Sequence, residues 1–333
     1  MIRKLWLSLA VALVALAVSF VYAAELNVVT TDAGQISGIT DSQGVTSFKG
    51  VPFAAPPVGN LRWQAPQPVA RWSGVRKADH FGNACYQNEA HSRLPWTEPF
   101  MEQGPVSEDC LYLNVWTAAK SPRDRRPVMV YIYGGGFNEG SGSVAVYDGT
   151  QLARRGVVVV NLNYRVGPLG FLVYPELSKE SEHGVSGNYG LLDQIAALQW
   201  VQRNIAAFGG DPNRVMIFGQ SAGAISVYDL TQSALAKGLF ARAIAESGPG
   251  LLGGRFAQQP TLAEREQAGV RWAESKGAHS LAELRALPPA GILQSVGRGA
   301  STAEPAGRGR LGTSSAGRCA ARESRAACCG HGC

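Results

Sequence analysis

An apolar run that ends in Gly-x-Ser-x-Gly and passes straight into helix-forming residues leaves a chain few folds to choose from. Val215-Met-Ile-Phe-Gly219-Gln-Ser221-Ala-Gly223-Ala is such a run. A serine on a sharp strand-to-helix turn has its hydroxyl pushed clear of the backbone, and flanking glycines let neighbouring segments pass close by. The five-residue pattern alone arises often by chance. The strand before it and the helix after it supply the context it needs, and Ser221 is the candidate nucleophile.

The surrounding pattern predicts the sheet that such a turn requires. Val128–Tyr133 and Val157–Leu162 are continuous apolar runs of the kind that strands buried on both faces carry. Leu111–Trp116 and Ala243–Glu246 are further strand candidates. Between Asp193 and Phe208, the residues Ile195, Leu198, Val201, Ile205 and Phe208 recur at intervals of three and four, which predicts an amphipathic helix stopped at Gly209. Shorter helices are expected near 151–155, 262–276 and 281–287, and a small antiparallel sheet over 26–51. Strands separated by helices imply an α/β architecture with a mostly parallel central sheet flanked by helices.

A nucleophilic serine needs donors for the oxyanion that forms on its substrate. Gly134-Gly135-Gly136-Phe137 follows directly on the strand ending at Tyr133. Residues without side chains leave backbone N–H groups open to a substrate carbonyl, and the N–H of Ala222, just after the serine, adds another. The alternatives for a glycine triplet are a flexible turn or a phosphate loop. No Lys followed by Ser or Thr stands at phosphate-loop spacing, so no nucleotide cofactor is expected.

Charge agrees with this. The net charge of +6 is concentrated at the ends: Arg3 and Lys4 at the start, and six Arg against Glu304 and Glu323 after residue 296. The remaining body is neutral, which argues against a nucleic-acid partner. Arg3-Lys4, the apolar stretch Leu5–Val21 and the small-residue site at Val21-Tyr22-Ala23 form the pattern of a secretory signal over residues 1–23. Cleavage after Ala23 is expected over retention as an uncleaved anchor, giving a secreted or periplasmic protein with no stable membrane insertion. In an oxidising compartment Cys85 and Cys110 are either a disulfide or two separate thiols. A bridge would contribute about 3–4 kcal/mol by the loop-entropy estimate.

Longer stretches resemble the type-B carboxylesterases, the carboxylesterase/cholinesterase family of the α/β-hydrolase fold. Phe48–Pro57 with Leu61-Arg-Trp63 is similar to that family's amino-terminal signature, Ser107–Trp116 to its second, and Ser186–Asp193 with Gly219–Gly223 to its active-site region. The resemblance covers about residues 26–295, within the N-terminal portion of a carboxylesterase domain expected over residues 24–296. It implies an acyl-serine esterase with Ser221 as nucleophile and Gly135, Gly136 and Ala222 as oxyanion hole. It also implies a Cys85–Cys110 disulfide, a small-molecule carboxylic ester as substrate, and no cofactor or metal. Gln220 stands where many relatives carry Glu. Trp96 and Phe100 are candidates for lining the substrate pocket, or else exposed loop aromatics.

The resemblance also implies a chain truncated before the family's acid and histidine, with the C-terminal part of the fold missing. His80, His91, His183, His279 and His331 are the histidines, and none stands where the family places its base. His279 reads as a surface residue, and Glu246 as a strand-end residue facing solvent. Residues 297–333 hold eight Gly, eight Ala, six Arg, four Ser and four Cys, with Leu311 the sole large aliphatic. Such a segment cannot bury a core and is expected to be disordered. Gly, Ala and Arg have GC-rich codons, so it reads as an out-of-frame translation of GC-rich DNA. The alternative, a metal site on Cys319, Cys328, Cys329, His331 and Cys333, fits zinc spacing poorly because Cys328 and Cys329 are adjacent. The expected function is carboxylic ester hydrolysis with little activity in the chain as given. A catalytically inactive binding module and an acyltransferase or thioesterase are the alternatives.

Overall fold

The structure, a computed structural model, describes residues 26–88, 97–102, 104–248 and 260–293. The expected signal segment and the segment after residue 296 lie outside these residues. Twelve strands occur among them: β1 Val28–Thr30, β2 Gln35–Ser37, β3 Ile39–Thr40, β4 Thr46–Pro52, β5 Val75–Lys77, β6 Ala84–Cys85, β7 Val106–Ser107, β8 Tyr112–Thr117, β9 Arg126–Ile132, β10 Val158–Leu162, β11 Gly210–Gln220 and β12 Arg242–Glu246. Seven build the main sheet, in the order β12-β11-β9-β10-β8-β4-β3.

The sheet is mixed. β12, β11, β9 and β10 run parallel, whereas β10, β8, β4 and β3 pair antiparallel. The α/β-hydrolase fold expected from the sequence is present, with its parallel pairing confined to the half that carries the serine. Every residue of β10 is buried, as a continuous apolar run predicts for a strand covered on both faces. The small sheet near the start pairs β1 with β2 antiparallel and β2 with β5 in parallel, so β5 is an addition the alternation of 26–51 did not show. β12 is an edge strand, with Ile244 44% exposed.

The helix Tyr189–Asn204 begins four residues before the expected start and continues as a 3₁₀ turn, Ile205–Phe208. Gly209 ends it at φ 77°, a conformation glycine adopts without penalty. All five residues of its expected apolar face are buried against the sheet. Asp193, taken from the sequence as the helix start, lies in its interior and is 0% exposed.

The amino-terminal motif has a physical task. Arg62 forms a bidentate pair with Glu108 and also donates through Nη1 to the carbonyls of Leu284, Arg285 and Leu287. It thereby satisfies the end of the helix Leu281–Ala286, whose last carbonyls have no intrahelical partners. Trp63 donates Nε1–H to the Pro168 carbonyl and joins a second core with Leu172, Tyr174, Leu281, Leu284 and Ile292.

Arg285 in turn reaches Glu180 with both terminal nitrogens, at 2.9 and 2.8 Å. That guanidinium holds the Glu180 carboxyl below its ordinary value. A carboxyl with a lowered folded-state pKa stabilises the fold above its unfolded pKa, and the contribution is lost as pH falls through the folded value. Thermal unfolding of Glu180→Gln should therefore start below wild type near neutrality, and the gap should close in acid. The pair is partly solvated, so the neutral-pH effect should stay within about 1 kcal/mol. A gap that does not change with pH would show that the ion pair is not its cause.

Candidate active site

β11 runs through the sheet and delivers Ser221 at its carboxyl end, where the helix Ala222–Gln232 begins. Ser221 adopts φ 57° and ψ −119°, which an L-residue takes only when its surroundings compel it. The compulsion is visible in the packing. A Cβ on Gly223 would collide with the Ile132 carbonyl oxygen, and one on Gly219 would sit 2.7 Å from that same oxygen. The turn is tight because β9 passes directly beneath it. Ser221 donates its N–H to the Glu246 carbonyl at 2.9 Å and accepts from Ile225 N–H at 3.0 Å.

The glycine loop lies against this turn. A Cβ on Gly134 would meet the Gln220 carbonyl at 2.7 Å and Ser221 Cβ at 3.1 Å. Gly135 and Gly136 follow at φ 100° and 64°. The Gly135 carbonyl accepts from the N–H groups of Asn138 (3.0 Å) and Glu139 (3.3 Å), closing a turn. Among the described residues, the N–H groups of Gly135, Gly136 and Ala222 have no hydrogen-bond acceptor.

Ser221, Gln220 and Gly134–Gly136 share one cleft of about 390 Å³, with Phe100, Met101, Glu102, Glu139, Val144 and Tyr147 on its other walls. Phe100, a candidate from the sequence, lines it; Trp96 lies outside the described residues. Ala222 is buried behind the serine. The Cys85–Cys110 disulfide is formed, with Cα atoms 4.8 Å apart.

No histidine is among the described residues lining the cleft. His80 pairs with Asp79 at the surface, His183 and His279 are exposed, and His91 and His331 lie outside the described residues. The Glu246 side chain is exposed, and it is its backbone carbonyl that meets the serine turn.

Two arrangements near the site were not legible in the sequence. Arg165, just past β10, is 4% exposed and pairs with Asp193 through Nε at 2.8 Å and Nη2 at 2.7 Å, and its own N–H adds a third bond at 3.0 Å. Tyr133 and Tyr164 stack with ring centroids 4.3 Å apart, and each hydroxyl donates to the other's carbonyl. Burial pushes both phenols upward in pKa, so they remain neutral donors. A charged residue beside an apolar strand gives no sign of being buried, and a tyrosine in a strand none of its partner.

A mixed sheet with a strand–serine–helix turn at the carboxyl end of a parallel strand, faced by a glycine loop, defines an α/β-hydrolase. The chain belongs to the carboxylesterase family, whose profile matches residues 25–304. It is 50% identical over 240 residues to the fumonisin B1 esterase of Sphingopyxis macrogoltabida, covering 72% of this chain and 42% of the relative. It is 49% identical over 222 residues to the para-nitrobenzyl esterase of Bacillus subtilis (strain 168), covering 66% and 43%. A solved PNB esterase superposes with a TM-score of 0.70 at 40% identity, over 80% of this chain and 52% of its own. The chain thus spans about two fifths of the length of these curated relatives and about half of the solved one.

Proposed function

We propose that this chain carries the nucleophile and oxyanion hole of a serine carboxylesterase acting on small-molecule carboxylic esters. Ser221 Oγ attacks the ester carbonyl carbon, and the carbonyl oxygen becomes an oxyanion held by the N–H groups of Gly135, Gly136 and Ala222. Collapse expels the alcohol and leaves an acyl-Ser221, which water cleaves to the free acid. The observation that carries this reading is the strained Ser221 opening into the same cleft as the unengaged glycine N–H groups. Esterase relatives support the reaction class. The chemistry requires no cofactor and no metal.

The described residues lining the cleft include no histidine, and acylation by these residues alone, with the serine's proton passing to solvent, is slow. Oxyanion donors and binding without the base leave about 10³-fold acceleration over water. Incubation with p-nitrophenyl acetate followed by intact-mass analysis should show slow acetylation at Ser221 that Ser221→Ala removes. Acetylation that persists in Ser221→Ala would overturn the nucleophile assignment. Turnover at an ordinary esterase rate, about 10 per second, would show that a further group takes the serine's proton.

The signal pattern at residues 1–23 supports export. The Cys85–Cys110 bridge agrees, because disulfides persist in oxidising compartments.

A further inference from the structure

The glycine loop is anchored at three points, and the third anchor comes from a distant part of the chain. At its start, Tyr133 is locked to Tyr164 by stacking and reciprocal hydrogen bonds. In its middle, Phe137 packs edge-on against Phe171, and its carbonyl accepts from Gly167 N–H at 2.6 Å. At its end, Gly140 donates its N–H to Gln87 Oε1 at 2.7 Å, while Gln87 Nε2 donates back to the Gly140 carbonyl at 2.9 Å. The same Nε2 also donates to the Cys85 carbonyl at 2.9 Å. Gln87 is 5% exposed and stands two residues after the disulfide.

We propose that Gln87 is a positioning residue that sets the aim of the Gly135 and Gly136 N–H groups, with the Cys85–Cys110 bridge holding Gln87 in place. The inference rests on the serine reading above. The link is short. Gly140 packs so close to Tyr133 that a Cβ would meet the ring at 2.5 Å, so the loop from 133 to 140 closes on itself. Inside that closed loop, the Gly135 carbonyl is fixed by Asn138 and Glu139. The Gly135–Gly136 peptide plane carries that carbonyl at one end and the Gly136 N–H at the other. A shift of Gly140 is therefore passed to the N–H groups that face the cleft. A primary amide that pairs with both the N–H and the C=O of one residue ties down the two peptide planes that meet there, which one hydrogen bond does not.

Such a residue should matter more for a tetrahedral adduct than for a planar ligand, because only the adduct presents an oxyanion to the loop. The probes are phenylboronic acid and benzamide. Ser221 Oγ adds to the trigonal boron, forming one O–B bond and giving its proton to water, so the boron centre carries the negative charge. Benzamide carries the same ring and forms no bond. Boron NMR titration should show a tetrahedral adduct in wild type and none in Ser221→Ala. Gln87→Met keeps the length of the side chain and loses all three hydrogen bonds. It should weaken the adduct about 10- to 100-fold, as a misplacement of roughly 1 Å does, with benzamide affinity within about twofold. Gln87→Glu retains the acceptor for Gly140 N–H and should fall between the two. It also supplies the measurement if Gln87→Met does not fold. Equal adduct affinity in wild type and variants overturns the positioning role, and so does an equal loss for boronate and benzamide. Absence of any Ser221-dependent adduct in wild type overturns the serine reading and this inference together.

Discussion

Replacing Asp193 by asparagine should lower the unfolding free energy by about 3–5 kcal/mol, read from the urea midpoint at unchanged slope. The side chains of Arg165 and Asp193 are 4% and 0% exposed, so the substitution leaves a guanidinium buried without a counter-charge. The carboxylate accepts three hydrogen bonds from Arg165, one of them from the backbone, and an amide cannot serve them all. Among the described residues Arg165 Nη1 has no hydrogen-bond partner, so the pair does not fully offset its own desolvation. For that reason the double substitution Arg165→Met/Asp193→Leu should recover most of the loss. A single-variant loss below about 1 kcal/mol would mean that the surroundings solvate the pair far more than its burial indicates.

Gly223→Ala should abolish Ser221 acetylation while costing about 1–3 kcal/mol in stability, the usual range for overpacking. The added methyl would land on the Ile132 carbonyl oxygen. That atom belongs to β9, which is hydrogen-bonded in the sheet and cannot withdraw, so the serine turn must move instead. Moving it takes Ser221 from φ 57° and opens its spacing to Gly134, where an added Cβ would meet the Gln220 carbonyl at 2.7 Å and Ser221 Cβ at 3.1 Å. Thermal unfolding and the acetylation assay should therefore separate: a folded protein with a modestly lower Tm and acetylation reduced at least about 100-fold. A variant that acetylates at the wild-type rate would show that the close approach is not what holds Ser221 in place.

How much of this was readable beforehand depends on distance along the chain. The serine turn, the glycine loop, the buried strands and the apolar face of the helix before β11 were all legible. Each is a pattern among near neighbours, set by backbone sterics and by the periods of strand and helix. The strand expected near 243–246 forms as Arg242–Glu246, and the helices expected over 262–276 and 281–287 form within two residues of those bounds. Even there, tertiary context moved boundaries. The helix with Asp193 begins at Tyr189, because a carboxylate that looks like a helix start is in fact an interior group matched to a buried arginine.

The antiparallel half of the sheet, the capping of a helix end by Arg62 over 222 residues away, and the clasp of Gln87 on Gly140 were decided only by the tertiary structure. The sequence by itself determined the chemistry on offer: a strained serine, glycine N–H groups near it, and the strand–helix alternation that presents them. Which distant polar groups meet was not determined by any local pattern. A glutamine or arginine in a loop forms the same local structure whether or not a partner exists. Its partner is chosen by the path of the folded chain, and buried donors and acceptors then pair because leaving them unmatched costs more.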